Sequence, residues 1–264
     1  MNGNQLKNGC RALWEQVFND SPAFVDLYFE RRFSEERTFY AERGGRVVCA
    51  MQSLPYTFNY LGKTLPVGYV SGLATLPDYR RSGLASHVLE QSHEALRRQG
   101  AAFSFLIPAD DHAARFYRNH GYTPCFRKPV FPHLPPGEDV ERLTPDVVRF
   151  IQDQMGHREN YIGHSRDDIA DIFTVARMDG GGLRLQRKDG HICSATIFDR
   201  AGGNTRVLDQ FTDSSYGTSP NAPCPAHNFQ TTAPIGMAKL LDTAAIPDLD
   251  TLRALRPVMS LMLD

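Results

Sequence analysis

The sequence predicts an α/β protein with a mixed sheet, built as two successive halves of similar element order. Hairpin signals come first and a strand–helix–strand crossover follows, which places a parallel strand pair within an otherwise antiparallel sheet. Residues 131–137 carry three prolines and a glycine, and they divide the chain because these residues cannot continue a helix or a central strand. The helix–helix–hairpin order then returns, so we expect domains at residues 1–134 and 135–264.

The elements of the first half follow from local signals. Apolar residues at helical spacing, Leu13, Val17 and Phe18, predict the first helix. Ser21 followed by Pro22 starts the second helix, since serine caps helices and proline suits their first position. In chain order the prediction continues with strands at 38–42, 46–51, 54–60 and 66–76, a helix at 82–98, a strand at 102–107, a helix at 110–119 and a strand at 122–130.

The second half has its own helix and strand signals. The prediction is two helices, the first at 144–155 and the second capped by Ser165, then a hairpin of 183–187 and 192–198, and strands at 206–211, 236–241 and 257–263. An irregular stretch rich in Ser, Thr, Asn and Pro runs through residues 212–234. A loop of that length is usually functional or mobile.

Composition excludes several classes of protein. The 264 residues carry 29 Lys and Arg against 30 Asp and Glu, so the net charge of −1 argues against a dominant nucleic-acid-binding surface. No apolar run approaches the ~20 residues of a membrane span, and the N-terminal residues lack the apolar stretch of a signal peptide. Five dispersed cysteines without a C-x-x-C pair predict free thiols and a cytoplasmic protein. Cys224 and His227 fit no common zinc spacing, so no metal is expected.

The strand-to-helix turn near residue 80 is the most informative segment. Arg80, Gly83 and Ala85 match the spacing Arg-x-x-Gly-x-Gly/Ala. Such a turn exposes unpaired N–H groups at the positive end of a helix dipole, and small residues let an anion approach them closely. The pattern therefore predicts a pyrophosphate site. It is neither a dinucleotide-binding fingerprint nor a P-loop, because their glycine and Gly-Lys-Ser/Thr positions are absent.

A second motif follows the next buried strand. Ala113, Phe116, Tyr117, Gly121 and Tyr122 match the pattern A-x-x-F-Y-x-x-x-G-[FY]. With the preceding turn, in this order, the motif resembles the GNAT superfamily of acetyl-CoA-dependent N-acetyltransferases over residues 10–130. A narrower likeness is to the tandem enhanced intracellular survival (Eis) type. That resemblance implies a GNAT fold in the first half and a second, degenerate GNAT-like half.

The resemblance implies direct transfer of the acetyl group of acetyl-CoA to a primary amine. Tyr117 is then the proton donor to the leaving thiolate, and a strand N–H polarises the thioester carbonyl. The residues implied to bind acetyl-CoA are Leu73, Ala74, Thr75, Arg80, Arg81, Ser82, Gly83, Leu84 and Ala85.

The acceptor side is less defined. Asp26 and Glu30 on the second helix, the C-terminal carboxylate at Asp264, or water are the alternatives for the base. The acceptor is a small molecule or a peptide, and aminoglycosides, polyamines and small metabolites all fit. The alternative to an enzyme is a non-catalytic, acyl-CoA-binding regulatory module. No nucleic-acid or membrane partner is expected, and the sequence predicts no oligomeric state.

Overall fold

The computed structural model describes residues 1–213, residue 215 and residues 232–262. Within them the helices are α1 Gly3–Val17, α2 Pro22–Arg31, α3 Leu84–Arg98, α4 Asp111–Asn119, α5 Pro145–Gly156, α6 Arg166–Met178 and α7 Leu249–Ala254. The strands are β1 Thr38–Arg43, β2 Arg46–Tyr60, β3 Lys63–Thr75, β4 Phe103–Leu106, β5 Thr123–Pro129, β6 Glu138–Val140, β7 Tyr161–Gly163, β8 Gly182–Lys188, β9 His191–Asp199, β10 Arg206–Thr212 and β11 Thr232–Leu240.

The chain divides into two compact units that are discontinuous in sequence. The first contains Met1–Tyr56, Leu65–Pro124 and Gly236–Leu252, and the second contains Thr57–Thr64, Cys125–Ile235 and Arg253–Asp264. The segment that includes most of β11 therefore belongs to the first unit, although it follows the proline-rich segment by about a hundred residues. The boundary between residues 134 and 135 stays a prediction.

The first unit is built on a mixed sheet with strand order β1-β2-β3-β4-β11. β1 and β2 are antiparallel, with Thr38 opposite Gln52. β3 and β4 form the predicted parallel pair, with Tyr69 opposite Phe105. β11 is antiparallel to β4 and covers its other edge, which explains why this late segment joins the first unit.

Side chains from helices α1 to α4 and from the sheet fill the core of the first unit. α1 begins at a capping box formed by Asn2 and Gln5, which satisfies N–H groups that a helix start leaves unpaired. Leu13, Tyr28 and Val48 are each at most 2% exposed and belong to one apolar cluster. This packing fixes the helices on the sheet, because burial of apolar surface is the main favourable term in folding.

The second unit has a four-stranded antiparallel sheet of order β10-β9-β8-β6. Its core contains Ile151 of α5, Ile169 of α6 and Phe211 of β10, all fully buried. The last residues of β2 pair with β7 in this unit, Phe58 lying opposite Ile162. The predicted helix–helix–hairpin order is present here as α5, α6 and the β8–β9 hairpin.

Several elements differ from the sequence prediction. The runs at 46–51 and 54–60 form one continuous strand, β2. The predicted strand at 257–263 is absent from the described residues there, where Val258 makes only isolated bridges to Arg127 and Tyr161. The sequence analysis did not predict β6, β7 and α7. These elements have only three to six residues and lie among turn-forming residues, so they carry little periodic signal. Most of the irregular stretch, together with Cys224 and His227, lies outside the described residues.

No helix in the described part of the chain is long and apolar enough to cross a membrane. The same residues hold no group of three or more His, Cys, Asp or Glu side chains that could bind a metal ion. Cys10, Cys49 and Cys193 are free thiols, and the first two are buried. Burial raises the pKa of the Cys10 thiol to about 12, so this thiol stays protonated and unreactive near neutral pH.

Candidate active site

The connection from β3 to α3 turns sharply at two residues with left-handed backbone. Arg81 has φ +61° and Gly83 has φ +81°. α3 therefore begins at Leu84 rather than at the predicted Ser82, because residues in this conformation cannot belong to a right-handed helix. A side chain at Gly83 would meet nothing within 4 Å. The backbone of this turn is thus open to an approaching ligand.

The N-terminus of α3 has no side-chain cap. Asn2, Ser21, Asp110 and Ser165 cap the starts of α1, α2, α4 and α6. Gly83 at the start of α3 has no side chain to do so, and Thr144 at the start of α5 makes no capping bond either. Helix geometry leaves the N–H groups of the first turn without carbonyl partners, and the helix dipole makes this end positive. The arrangement suits a diphosphate group, which would accept those hydrogen bonds.

Side chains around this turn reinforce its shape and charge. The Arg80 guanidinium donates a hydrogen bond to the carbonyl of Thr75 (3.2 Å), which ties the turn to the end of β3. Ser82 donates from its hydroxyl to the carbonyl of Tyr79 (2.5 Å). Arg80, Arg81 and Ser82 are all exposed. The structure therefore brings the residues predicted at 80–85 together at one positively charged helix terminus.

β3 extends past its parallel neighbour. The register between β3 and β4 pairs Gly68 with Ser104 and Tyr69 with Phe105, and β4 ends at Leu106. β3 continues to Thr75, so its last residues run beyond the end of β4. The predicted residues Leu73, Ala74 and Thr75 lie in this extension. An unpaired strand edge can form hydrogen bonds with the amide groups of an extended ligand.

A bulge lies within β3 just before these residues. Gly72 has φ +62° inside the strand, and a Cβ there would collide with the indole ring of Trp14. Only glycine combines this backbone conformation with so close a ring. The Trp14 indole N–H donates to Asp20 (2.7 Å) and its ring packs 4.5 Å from that of Tyr28. The bulge changes the direction of the strand just before the predicted residues 73–75.

Tyr117 lies on the buried face of the short helix α4. Asp110 caps this helix by accepting a hydrogen bond from the N–H of Ala113 (2.7 Å). At the other end the N–H of Tyr122 bonds the carbonyl of Tyr117 (3.1 Å), and Gly121 has φ +84°. This is a Schellman motif, in which a contact between the two flanking side chains is common. The rings of Tyr117 and Tyr122 make that contact, with centroids 5.5 Å apart.

A hydrogen bond joins α4 to the first turn of α3. His120, next to Gly121, accepts at Nε2 from the Ser86 hydroxyl (2.8 Å) while its Nδ1–H donates to the carbonyl of Phe116 (2.8 Å). Tyr117 and Ala74 also belong to one core cluster, and Leu73, Leu84 and Ala85 pack against it. The helix that carries Tyr117 and the predicted donor-binding residues thus meet in one part of the first unit.

Behind Tyr122 runs a buried polar network. Its hydroxyl lies 2.7 Å from Ser104 Oγ and 2.9 Å from His93 Nε2, and His93 Nδ1 lies 3.0 Å from a Glu90 oxygen. A neutral His93 protonated at Nδ1 donates to Glu90 and accepts at Nε2 from the Tyr122 hydroxyl. Burial lowers the pKa of His93 to about 4 and raises the pKa of Tyr122, so both are neutral at pH 7. Tyr122, which packs against Tyr117, is held in a single orientation.

Glu90 closes this network at the surface. Its partial burial acts to raise its pKa, but hydrogen bonds from His93 and Arg97 and the nearby charge of Lys239 outweigh this and lower it to about 2. Lys239 belongs to β11 and its Nζ lies 3.2 Å from His93 Nδ1. The network therefore links α3, β4 and β11.

The acceptor-side candidates are not brought together by any described contact. Asp26 is exposed and forms an ion pair with Arg11 at 2.6 Å, and Arg11 also bonds Glu15. Glu30 is exposed on the same helix, and Asp264 lies outside the described residues. The assignment of a base among these residues stays a prediction.

Several residues of the site were not found from the sequence. The isolated Gly72 within a strand pattern could have indicated a bulge. Ser86, Ser104, His93 and His120 carry no spacing signal, because their partners are far away in the sequence and only the folded chain brings them together.

The described geometry agrees with comparisons to known proteins. Residues 5–125 match the acetyltransferase (GNAT) domain family. A 52-residue stretch is 35% identical to an aminoglycoside N(6')-acetyltransferase type 1 of Acinetobacter genomosp. 13. That stretch covers 20% of this chain and 36% of the relative, so the chain spans about a third of the curated relative that it matches.

Similar solved structures extend over both units. A GCN5-related N-acetyltransferase from Anabaena variabilis matches 92% of this chain and 72% of its own, with TM-score 0.69 and 17% identity. A GCN5-related N-acetyltransferase from Kribbella flavida matches 93% of this chain over 72% of its own length, with TM-score 0.66 and 17% identity. Eis1 from Mycobacterium abscessus matches 93% and 74%, with TM-score 0.66 and 13% identity. At these identities the likeness shows the fold.

Proposed function

Because residues 5–125 match the acetyltransferase (GNAT) domain family, we propose that the chain transfers the acetyl group of acetyl-CoA directly to a primary amine. The observation that carries this proposal is the uncapped start of α3, joined through the Ser86–His120 hydrogen bond to the helix that bears Tyr117. One half of this arrangement suits the diphosphate of the donor. The other presents a hydroxyl group for proton transfer.

Two parts of the first unit bind acetyl-CoA in this proposal. The N–H groups at the start of α3, assisted by Arg80 and Arg81, hold the pyrophosphate. The extended end of β3, residues 73–75, pairs with the amides of the pantetheine arm and directs an N–H to the thioester carbonyl. Gly83 keeps the approach to the helix start open, since it places no side chain there.

The chemistry sets two requirements on this chain. Acetyl-CoA supplies an activated acyl group on a thiolate leaving group. Tyr117 gives its hydroxyl proton to the departing sulfur, which leaves as a thiol rather than as a thiolate. An amine with a pKa near 10.4 must also lose a proton, which costs about 4–5 kcal/mol at pH 7 unless the site lowers that pKa or supplies a base. Asp26, Glu30, Asp264 and water remain the alternatives for that base.

The acceptor is proposed only as a class. The curated relative is named for aminoglycosides, and this supports testing amino sugars first, followed by polyamines, peptides and small metabolites.

We also propose that residues 135–264, apart from the Gly236–Leu252 segment that completes the first unit, form a second GNAT-like half that no longer binds acetyl-CoA, as in the tandem Eis type. Two observations support it. The helix–helix–hairpin order returns as α5, α6 and the β8–β9 hairpin, and the likeness to Eis1 extends over 93% of the chain.

Release of free thiol from acetyl-CoA across a panel of amines tests the function. We expect thiol release that depends on both the enzyme and an amine, with an acetylated product of matching mass. Binding of acetyl-CoA without thiol release for any amine would favour a non-catalytic acyl-CoA-binding module instead. Absence of binding would contradict both proposals.

A further inference from the structure

Two buried hydroxyl groups meet beneath the bulge of β3. The Tyr28 hydroxyl of α2 lies 2.7 Å from Ser71 Oγ, and Ser71 directly precedes Gly72. Tyr28 is fully buried and Ser71 is 3% exposed. Burial of polar groups is costly unless they bond each other, so this pair specifies one arrangement of the strand against α2.

The surroundings hold Tyr28 in place. Its ring lies between those of Trp14 and Phe24, at centroid distances of 4.5 and 6.2 Å. The Gln52 amide donates weakly to its hydroxyl (3.5 Å) and accepts from the N–H of Ser34 (3.0 Å). The hydroxyl is thus presented to Ser71 from a fixed ring.

Packing alone does not fix the bulge. A small cavity lies beside it, lined by residues that include Trp14, Gln52, Ser71 and Gly72. Where packing leaves space, a directional hydrogen bond supplies the constraint that close contacts would otherwise give. Since Leu73 follows Gly72, the orientation of the bulge sets where the next N–H groups of β3 point.

We propose that Tyr28 and Ser71 are positioning residues for the acetyl group, since their hydrogen bond orients the β3 backbone that receives the thioester carbonyl. This inference rests on the proposed function. The pair touches the strand and not the donor, so it acts through the N–H groups that follow the bulge. Its effect is specific to the acetyl group, because the start of α3 binds the nucleotide end independently.

Binding of acetyl-CoA and of CoA to the full chain, measured by titration calorimetry, tests this without knowledge of the acceptor. Tyr28→Phe and Ser71→Ala each remove the hydrogen bond while preserving most of the packing. We expect acetyl-CoA affinity to fall about three- to tenfold in each variant, the loss of about one neutral hydrogen bond, with CoA affinity within twofold of wild type. The double variant should lose no more than either single variant.

Tyr40→Phe is the matched control. Tyr40 packs against the same core from β1, and its hydroxyl makes no side-chain hydrogen bond within the described part of the chain. We expect both affinities to stay at wild-type values in this variant. Thermal unfolding of all variants identifies any that fail to fold, and Ser71→Ala keeps the test decisive if Tyr28→Phe is one of them.

Three results would overturn the inference. If Tyr28→Phe and Ser71→Ala weaken acetyl-CoA and CoA equally, the pair has only a general structural role. If neither affinity changes, the hydrogen bond does not orient the strand. If the wild-type protein binds neither acetyl-CoA nor CoA, the proposed function fails together with this inference. In the first two results the wild-type protein still binds, so only the positioning role fails.

Discussion

At the scale of single residues, Tyr117 shows how local and distant contacts combine to orient one side chain. The Schellman motif at Gly121 fixes the last turn of α4, and Tyr122 packs against the Tyr117 ring. Ser104 and His93 in turn hold the Tyr122 hydroxyl. The Tyr117 hydroxyl is therefore carried by a helix end whose orientation is determined from two sides.

Replacement of Tyr117 by phenylalanine should lower turnover at least ~100-fold, the usual size of a lost general acid. The affinity for CoA should stay within about twofold, since the nucleotide end binds at α3. Thiol release and calorimetry measure the two quantities. Phe116→Leu, which changes the neighbouring half-buried ring, is the control for altered packing of α4. Wild-type turnover in Tyr117→Phe would remove the proposed role.

At the scale of elements, the two ends of α3 have similar backbone geometry but opposite electrostatic potential. Gly83 and Gly100 flank the helix, both have left-handed backbone, and a side chain at either would meet nothing within 4 Å. They differ in position, because the first lies at the positive end of the helix dipole and the second at the negative end. The pair therefore offers a matched comparison.

Gly83→Asp should weaken CoA binding at least tenfold, because its carboxylate occupies and neutralises the anion site. Aspartate tolerates left-handed backbone, so the fold should persist. Gly100→Asp introduces the same side chain at the far end and should leave CoA affinity unchanged. Calorimetry on both variants measures this. Equal affinities in the two variants would contradict the assignment of the α3 N-terminus as the diphosphate site.

The buried His93 network predicts a pH dependence of stability. His93 has its pKa lowered to about 4 in the folded protein, from an ordinary value near 6.5. Below pH 6.5 the unfolded chain takes up a proton that the folded chain does not, so stability falls as pH drops toward 4. Once His93 is protonated in the folded state as well, the free energy of unfolding has fallen by about 3 kcal/mol in total.

Urea unfolding at pH 7 and at pH 4.5 measures this loss. His93→Gln should flatten the dependence over this interval, since glutamine does not titrate. His87→Gln changes an exposed histidine of the same helix and should retain the wild-type dependence. An unchanged pH dependence in His93→Gln would contradict the assignment. The lowered pKa of Glu90 adds a further loss of stability only below about pH 4.5.

At the scale of the whole molecule, the first unit is completed by a segment from late in the chain. β11 pairs with β4 through Met237, Ala238, Lys239 and Leu240. Met237 is 2% exposed and Ala238 is fully buried. A catalytic domain that ended at residue 134 would leave this edge of β4 uncovered.

A chain of residues 1–134 should therefore be less stable than the full chain, by at least about 2 kcal/mol, the burial of one large apolar side chain. Circular dichroism during urea unfolding measures this. The Lys239→Ala variant of the full chain measures how much the Lys239 side-chain contacts contribute to stability. The remaining difference is then due to the pairing and burial of β11. Cooperative unfolding of residues 1–134 with the stability of the full chain would instead support the boundary predicted from the sequence.

The sequence predicted most of the first unit because its signals are local. Ser21, Gly45, Gly83 and Gly121 act on the backbone within a few residues of their own positions. They correctly indicated a helix start, a hairpin, a strand-to-helix turn and a helix end. Prediction failed where pairing is distant. The residues around Val258 have the pattern of a strand, but Val258 makes only isolated bridges in the described structure. A local pattern cannot show whether a neighbouring strand is present to pair with it.

By itself, the sequence determined most helices and strands of the first unit and the two motifs at residues 80–85 and 113–122, since these signals are contiguous and depend on backbone conformations that particular residues favour. Only the tertiary structure decided that β11 completes the first unit, that Ser86 meets His120, and that Tyr28 bonds Ser71 across 43 residues. These contacts join segments whose local sequence carries no sign of the partner. They are favoured because a buried polar group without a partner costs free energy.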